Sequence, residues 1–264
     1  MTQEQATDHA SLEGLVETGM LPLESLHPGG LDTTRQLAEL CEIERGTEVL
    51  DVASGTGESA CFLAASFGAR VLGIDHSDEM VQRAAAKART QEVDVEFITA
   101  DAASPPFDDS RFDVAICECT LCFLDKARVL SEMVRVVRPG GFIGMHDLYW
   151  KEGASEAEKL TLAEIEAEKP ETLEGWRRLF EGAGLEQIST IDKSAIMSRW
   201  MSESRKQLGL AGQLMLALKI IRRWGFGGAW RVFRSERVFS SGLLGYAIVV
   251  GRKPALSAMH GQET

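Results

Sequence analysis

Three carboxylates stand at the intervals of a repeating unit: Asp51, Asp75 and Asp101. A carboxylate accepts hydrogen bonds through two oxygens and donates none, so each suits a ligand rich in hydroxyl or amine groups. A second set is rich in sulfur. Cys117, Glu118, Cys119 and Cys122 fall within ICECTLC, and His146, Asp147 and Tyr149 fall within HDLY. A thiol, an imidazole, a carboxylate and a phenol are the side chains that take up protons or meet a soft reacting atom. Asp51 itself lies in VLDVASGTG, residues 49–57, where Gly55 and Gly57 allow a backbone turn to approach a polar ligand closely.

The elements that must hold these residues alternate. Val49 to Val52 reads as a strand, the glycines as a turn, and residues 58–67 as a helix whose first N–H groups face a ligand. Residues 70–75 form a second strand ending in Asp75, and Ser77 caps a helix through about Arg89. Val93, Val95 and Phe97 alternate with acids as a half-exposed strand does, and Asp101 follows it. Phe112–Cys117 reads as a fourth strand, residues 126–137 as a helix broken by RPGG (138–141), and Gly141–Asp147 as a fifth strand. Before this core, residues 7–18 read as a short helix, residues 21–31 as a loop, and Asp32 as the cap of a helix through about Glu42. After Trp150 come an acidic loop and helix, an amphipathic helix over 171–181, a strand over 185–192, a basic helical stretch over 195–240 and a closing strand over 245–250.

Strand and helix alternating at short spacing predict an α/β fold with a Rossmann-like, doubly wound, mostly parallel seven-stranded sheet, helices on both faces and a helical insertion before the last strand. The expected division is 1–44 for N-terminal helices and a covering loop, 45–254 for the main domain with 195–240 as insertion or lid, and 255–264 as a disordered tail.

GTGESA (55–60) also fits the dinucleotide fingerprint, with Asp75 on a ribose in either reading. Asp51 ahead of the glycines, Asp101 after the third strand, and FDVA and RPGG beyond favour another cofactor. Together with Ala53, these residues closely resemble a class I S-adenosylmethionine-dependent methyltransferase over roughly residues 45–147. Ala53 replaces the usual first glycine. The resemblance implies that Asp51, Ala53, Gly55 and Gly57 hold the methionine end and that Asp75, with neighbouring His76, meets the ribose. It further implies that Asp101 and the Ala102 backbone read the adenine, that the Thr33 or Thr34 hydroxyl touches the methionine carboxylate unless this stretch is a plain helix entry, and that Cys117 borders the transferring methyl while packing on its strand. The plain alternative makes Asp51 a turn residue and Asp75 and Asp101 strand-end caps.

Two small-molecule branches are similar. One acts in ubiquinone and menaquinone biosynthesis and shares the LSEMVRVVRPGG pattern; the other is the arsenite methyltransferases, which carry a cysteine where Cys119 falls. The leading acceptor is therefore a soft nucleophile, namely sulfide, a small thiol or a trivalent metalloid, because such acceptors need little base at neutral pH. An oxygen or carbon acceptor on an apolar molecule is the alternative, with Glu118, His146, Asp147 or Tyr149 as base. A non-catalytic, cofactor-binding regulatory module is a third. No metal site is expected, since a closed zinc site would want a second cysteine pair.

The net charge of −12 and pI near 5.0 argue against a nucleic-acid partner. A polar N-terminus, no long apolar run and an odd count of five cysteines imply reduced thiols and a cytoplasmic location. Residues 199–238 carry nine basic side chains against two acidic ones, a net +7. That stretch reads as a lid, or as a membrane-surface contact through 211–234. The expected assembly is a monomer or homodimer.

Overall fold

The computed structural model describes residues 10–18, 20 and 28–255. The first and last expected segments, and most of the loop over 21–31, lie outside these residues in part or whole. The helices are α1 (Leu12–Glu17), α2 (Gly30–Leu40), α3 (Glu58–Phe67), α4 (Asp78–Gln91), α5 (Lys126–Val136), α6 (Glu156–Ile165), α7 (Leu173–Gly182) and α8 (Ser194–Ser240). The strands are β1 (Glu48–Val52), β2 (Arg70–Asp75), β3 (Val95–Thr99), β4 (Phe112–Glu118), β5 (Val137–Trp150), β6 (Glu171–Thr172), β7 (Glu186–Asp192) and β8 (Leu244–Arg252).

The sheet runs β3-β2-β1-β4-β5-β8-β7, with the two-residue β6 pairing off this path with β5. Strands β1 to β5 pair in parallel, with Asp51 opposite Gly73 on one side and Ile116 on the other. The order reverses between β1 and β4, and in open α/β sheets ligands bind beyond the carboxyl ends of the strands at such a reversal.

Among the described residues, 31–146, 174–191 and 248–255 form one compact unit, and 10–18, 20, 28–30, 147–173 and 192–247 form another. The first unit's core joins Val49, Val71, Val114 and Ile116 of the strands to Leu37 and Cys41 near α2 and to Ala60 and Leu63 of α3. In the second unit, Leu12 and Leu15 pack with Ile220 and Val232 of α8, while Trp150, Leu162, Val238 and Leu244 form a smaller cluster.

Several boundaries differ from the sequence reading. Helix α2 starts at Gly30, so Asp32 sits in its first turn rather than capping it. RPGG does not break off before a strand but begins β5: Gly140 N–H donates to Lys253 O and Lys253 N–H to Gly141 O, both at 2.8 Å. Residues 171–172 pair with Tyr149 and Trp150, so α7 starts two residues late. Residues 194–240 are helical, as expected for 195–240, in segments interrupted at Gly209 and Gly225, where the backbone leaves helical φ/ψ. Among the described residues no helix is long and apolar enough to cross a membrane.

Candidate active site

The first unit gathers the site at the carboxyl ends of β1, β2 and β4. Leaving β1, the chain turns through Ala53, Gly55 and Gly57, all left-handed at φ 58°, 50° and 74°. A Cβ on Gly57 would stand 2.6 Å from Phe97 Cζ and 2.8 Å from Ala84 Cβ, so helix α3 reaches the sheet only because this residue is glycine. Ala53 keeps a left-handed backbone at a cost of about 1–2 kcal/mol for a residue with a Cβ.

Asp75 braces this turn: one oxygen accepts from Gly55 N–H and the other from Ser77 N–H, each at 2.9 Å. His76, more than half exposed, holds Nδ1 3.3 Å from Asp75 Oδ1. Asp51 is buried, and its Oδ2 has no hydrogen-bond partner; neither has the buried Ser54 Oγ. Burial raises the Asp51 carboxyl well above the usual carboxylate range, and the nearby charges of Glu118 and Asp75 push it the same way, against the Ala60 N–H. Asp101 is exposed beyond β3 and accepts from Ala103 N–H at 2.8 Å, with Ala102 beside it.

Glu118, Cys119 and His146 come together at the ends of β4 and β5. His146 is fully buried. Its Nε2 lies 2.9 Å from Glu118 Oε1. Its Nδ1 lies 3.5 Å from Cys119 Sγ. Cys119 is half-buried in a left-handed backbone at φ 55°, and its N–H donates to His146 O at 2.8 Å. The other Glu118 oxygen accepts from Thr34 Oγ1 at 3.1 Å and from Ser59 Oγ. Thr34 therefore meets Glu118, a contact the sequence reading did not foresee. Ser59 went unnoticed there, although a polar residue in the first turn of an otherwise apolar α3 was its signal.

The remaining candidates are placed differently. Cys117 and Cys122 are buried, as are Cys41 and Cys61, and burial pushes both of the last two thiols upward. Asp147 and Tyr149 belong to the second unit. Asp147 is buried and accepts from Leu148 N–H at 2.7 Å. Tyr149 is buried with its hydroxyl 3.0 Å from Ser194 Oγ, and burial holds its phenol above the ordinary value. A hydroxyl satisfied in this way fits packing better than proton transfer. Among the described residues no cluster of three His, Cys, Asp or Glu side chains is arranged to hold a metal ion.

The chain is similar to known proteins. A methyltransferase-domain family matches residues 49–141. The 27-O-demethylrifamycin SV methyltransferase of Amycolatopsis mediterranei is 30% identical over 251 residues, 88% of this chain and 90% of that protein. The chain belongs to the S-adenosylmethionine-dependent methyltransferases. The phosphoethanolamine N-methyltransferase of Triticum aestivum is 26% identical over 183 residues, and the chain spans only 36% of its length. The crystal structure of the [4+2]-cyclase SpnF superposes with a TM-score of 0.77 at 24% identity, covering 95% of this chain and 94% of that one, which is a likeness of fold.

The site fits the cofactor of this methyltransferase family. S-adenosylmethionine carries a positive sulfur and an ammonium group. Asp51, Asp75 and Glu118 lie close enough to raise the Asp51 carboxyl, and Asp51 keeps an unpartnered oxygen among them. A buried acidic nest is costly alone and favours a cationic ligand.

Proposed function

We propose that this methyltransferase methylates a hydroxyl oxygen of an apolar small molecule, with Cys119, His146 and Glu118 relaying the displaced proton. The placing of half-buried Cys119 Sγ 3.5 Å from His146 Nδ1, with His146 Nε2 2.9 Å from Glu118 Oε1, carries this reading. A hydroxyl keeps its proton at neutral pH and needs a base as its oxygen is methylated, whereas sulfide or a small thiol needs little help. Bound S-adenosylmethionine supplies a methyl on a positively charged sulfur. The protein aligns the two partners, and alignment is worth about 7–11 kcal/mol in such displacements. As the acceptor hydroxyl gives its proton to Cys119 Sγ, the thiol proton passes to His146 Nδ1, and Glu118 balances the imidazolium. Thr34 and Ser59 hold Glu118 in place. The rifamycin relative, named for an oxygen acceptor on a natural product, supports the same class.

A second reading keeps the soft acceptor, favoured by Cys119 as the one cysteine that is not buried. Sulfide or a small thiol suits it better than a trivalent metalloid, which would want several accessible thiols. Both readings belong to a cytoplasmic monomer or homodimer with no nucleic-acid partner; five free thiols are in keeping with a reducing compartment.

An acceptor panel with S-adenosylmethionine separates them. The expected result is O-methylated product from phenolic or polyketide hydroxyls, with kcat reduced about 10²–10⁴-fold in Cys119→Ala and His146→Asn and cofactor affinity retained. Turnover confined to sulfide and thiols would overturn the hydroxyl reading in favour of the second.

A further inference from the structure

Helix α8 turns two faces outward and inward. Inward, Ile220 and Val232 pack on Leu12 and Leu15 of α1, with Leu216, Trp224 and Ala229 alongside. Outward, Leu214, Met215 and Leu218 precede the bend at Gly225, and Phe226, Trp230 and Phe233 follow it. Phe226 is 81% exposed, Leu214 65% and Trp230 60%. Trp230 and Phe233 stack on each other, with ring centroids 5.5 Å apart. Each outward row runs into exposed cations at helical spacing: Leu214 and Leu218 into Arg222, and Phe226, Trp230 and Phe233 into Arg237.

Charge says what covers this face. No acidic residue occurs between Glu203 and Glu236, and the net +7 of 199–238 sits in a chain of net −12, so the rest carries −19. Arg231 and Arg234 are anchored on α6, through Glu164 O at 3.2 Å and Thr161 Oγ1 at 2.8 Å, and Arg223 lies over the Trp224 ring, whereas Lys219 and Arg222 stand exposed beside the apolar row. A second copy docking the same patch on itself would bring like charges together, because a two-fold interface pairs a patch with its own image. An anionic surface meets both the cations and the exposed aromatic row. Aromatic side chains beside Arg and Lys on a helix that is too short of apolar residues to cross are the composition of interfacial helices.

We infer that the outer face of α8 docks on an anionic bilayer surface. Phe226 and Trp230 enter the headgroup region while Lys219 and Arg222 meet lipid phosphates. This inference does not depend on the acceptor proposed above. Sedimentation of the full chain with vesicles tests it. The expected result is binding to mixed phosphatidylglycerol–phosphatidylcholine vesicles, weak binding to phosphatidylcholine alone, and loss of most binding on going from about 0.1 to about 1 M salt. The double variant Phe226→Ser/Trp230→Ser should bind at least about tenfold more weakly. The double variant Lys219→Glu/Arg222→Glu should lose the preference for anionic lipid. Both should bind S-adenosylhomocysteine like the parent, which shows that they fold. Absence of vesicle binding by the parent, or equal binding by the first double variant, would overturn the inference. So would a dimer dissolved by Phe226→Ser in a protein that ignores vesicles.

Discussion

Cys119 is set apart from its four fellow cysteines by position rather than by type. The thiols of Cys41 and Cys61 are buried and pushed upward, chiefly by burial and next, for Cys41, by the charge of Glu118. Cys117 and Cys122 are buried as well. Cys119 is half-buried and lies 3.5 Å from His146 Nδ1, the nitrogen that the proposed relay uses as proton acceptor. Thiolates, not thiols, react with alkylating agents, so access and a proton acceptor together decide the rate. Iodoacetamide is expected to label Cys119 first in the native protein, and Cys119 labelling should slow in His146→Asn. Peptide mass spectrometry over time checks this; early label on Cys41 or Cys117 would contradict it. The presence of a cysteine and a histidine was legible in ICECTLC and HDLY, and so were their strand ends. Their contact was not, because it depends on Cys119 taking a left-handed backbone and on His146 lying opposite Glu118 across the β4–β5 register. Nothing local to either stretch encodes that register.

The element that most constrains the site is the β1–α3 turn. Its glycines were legible, because a strand, two glycines and a helix leave few other backbones. The reason for Gly57 is tertiary: Phe97 on β3 and Ala84 on α4 fill the place where its Cβ would go. Gly57→Ala therefore meets both a left-handed φ of 74° and a closed space. It should destabilise the protein by about 2–3 kcal/mol and weaken cofactor binding, as read by denaturant melts and calorimetric titration. If Gly57→Ala melts like the parent, this packing is wrong. Elements misread in the sequence failed for a related reason. RPGG looks like a stop signal, yet Lys253 draws it into β5 through main-chain bonds and through Nζ contacts to Val134 O and Val137 O at 2.7 Å. Residues 171–172 were read as helical, yet they pair with the end of β5. In each case a long-range partner outweighed the local propensity. Ser59 and Thr34 were hidden in the same way, since they meet Glu118 from 59 and 84 residues away.

For the whole molecule, charge and cofactor are linked through pH. The folded, cofactor-free protein holds the Asp51 carboxyl above its unfolded value, first through burial and then through Glu118 and Asp75. A group with a raised folded pKa stabilises fully below the unfolded value and loses that contribution as pH rises through the folded one. Stability of the cofactor-free protein should therefore fall across the window that begins near the ordinary carboxylate value and extends upward. A cationic ligand placed in the acidic nest works in the opposite sense, since it favours the charged carboxylate. The stabilisation contributed by S-adenosylmethionine should then grow as pH rises through the same window. At a ligand concentration about a hundredfold above Kd the gain is about 2.7 kcal/mol for binding to the native state alone. Asp51→Asn removes the titrating group while keeping its shape. It should raise the stability of the cofactor-free protein at neutral pH by about 1 kcal/mol or more, since the cost of burying an ionisable carboxyl with an unsatisfied oxygen is lost. It should also flatten the pH dependence of the cofactor's effect and weaken cofactor binding. Thermal melts of both proteins with and without S-adenosylmethionine, from about pH 5 to about pH 8, read all three effects. A parent whose cofactor stabilisation is the same at both ends would show that Asp51 is not the linked group.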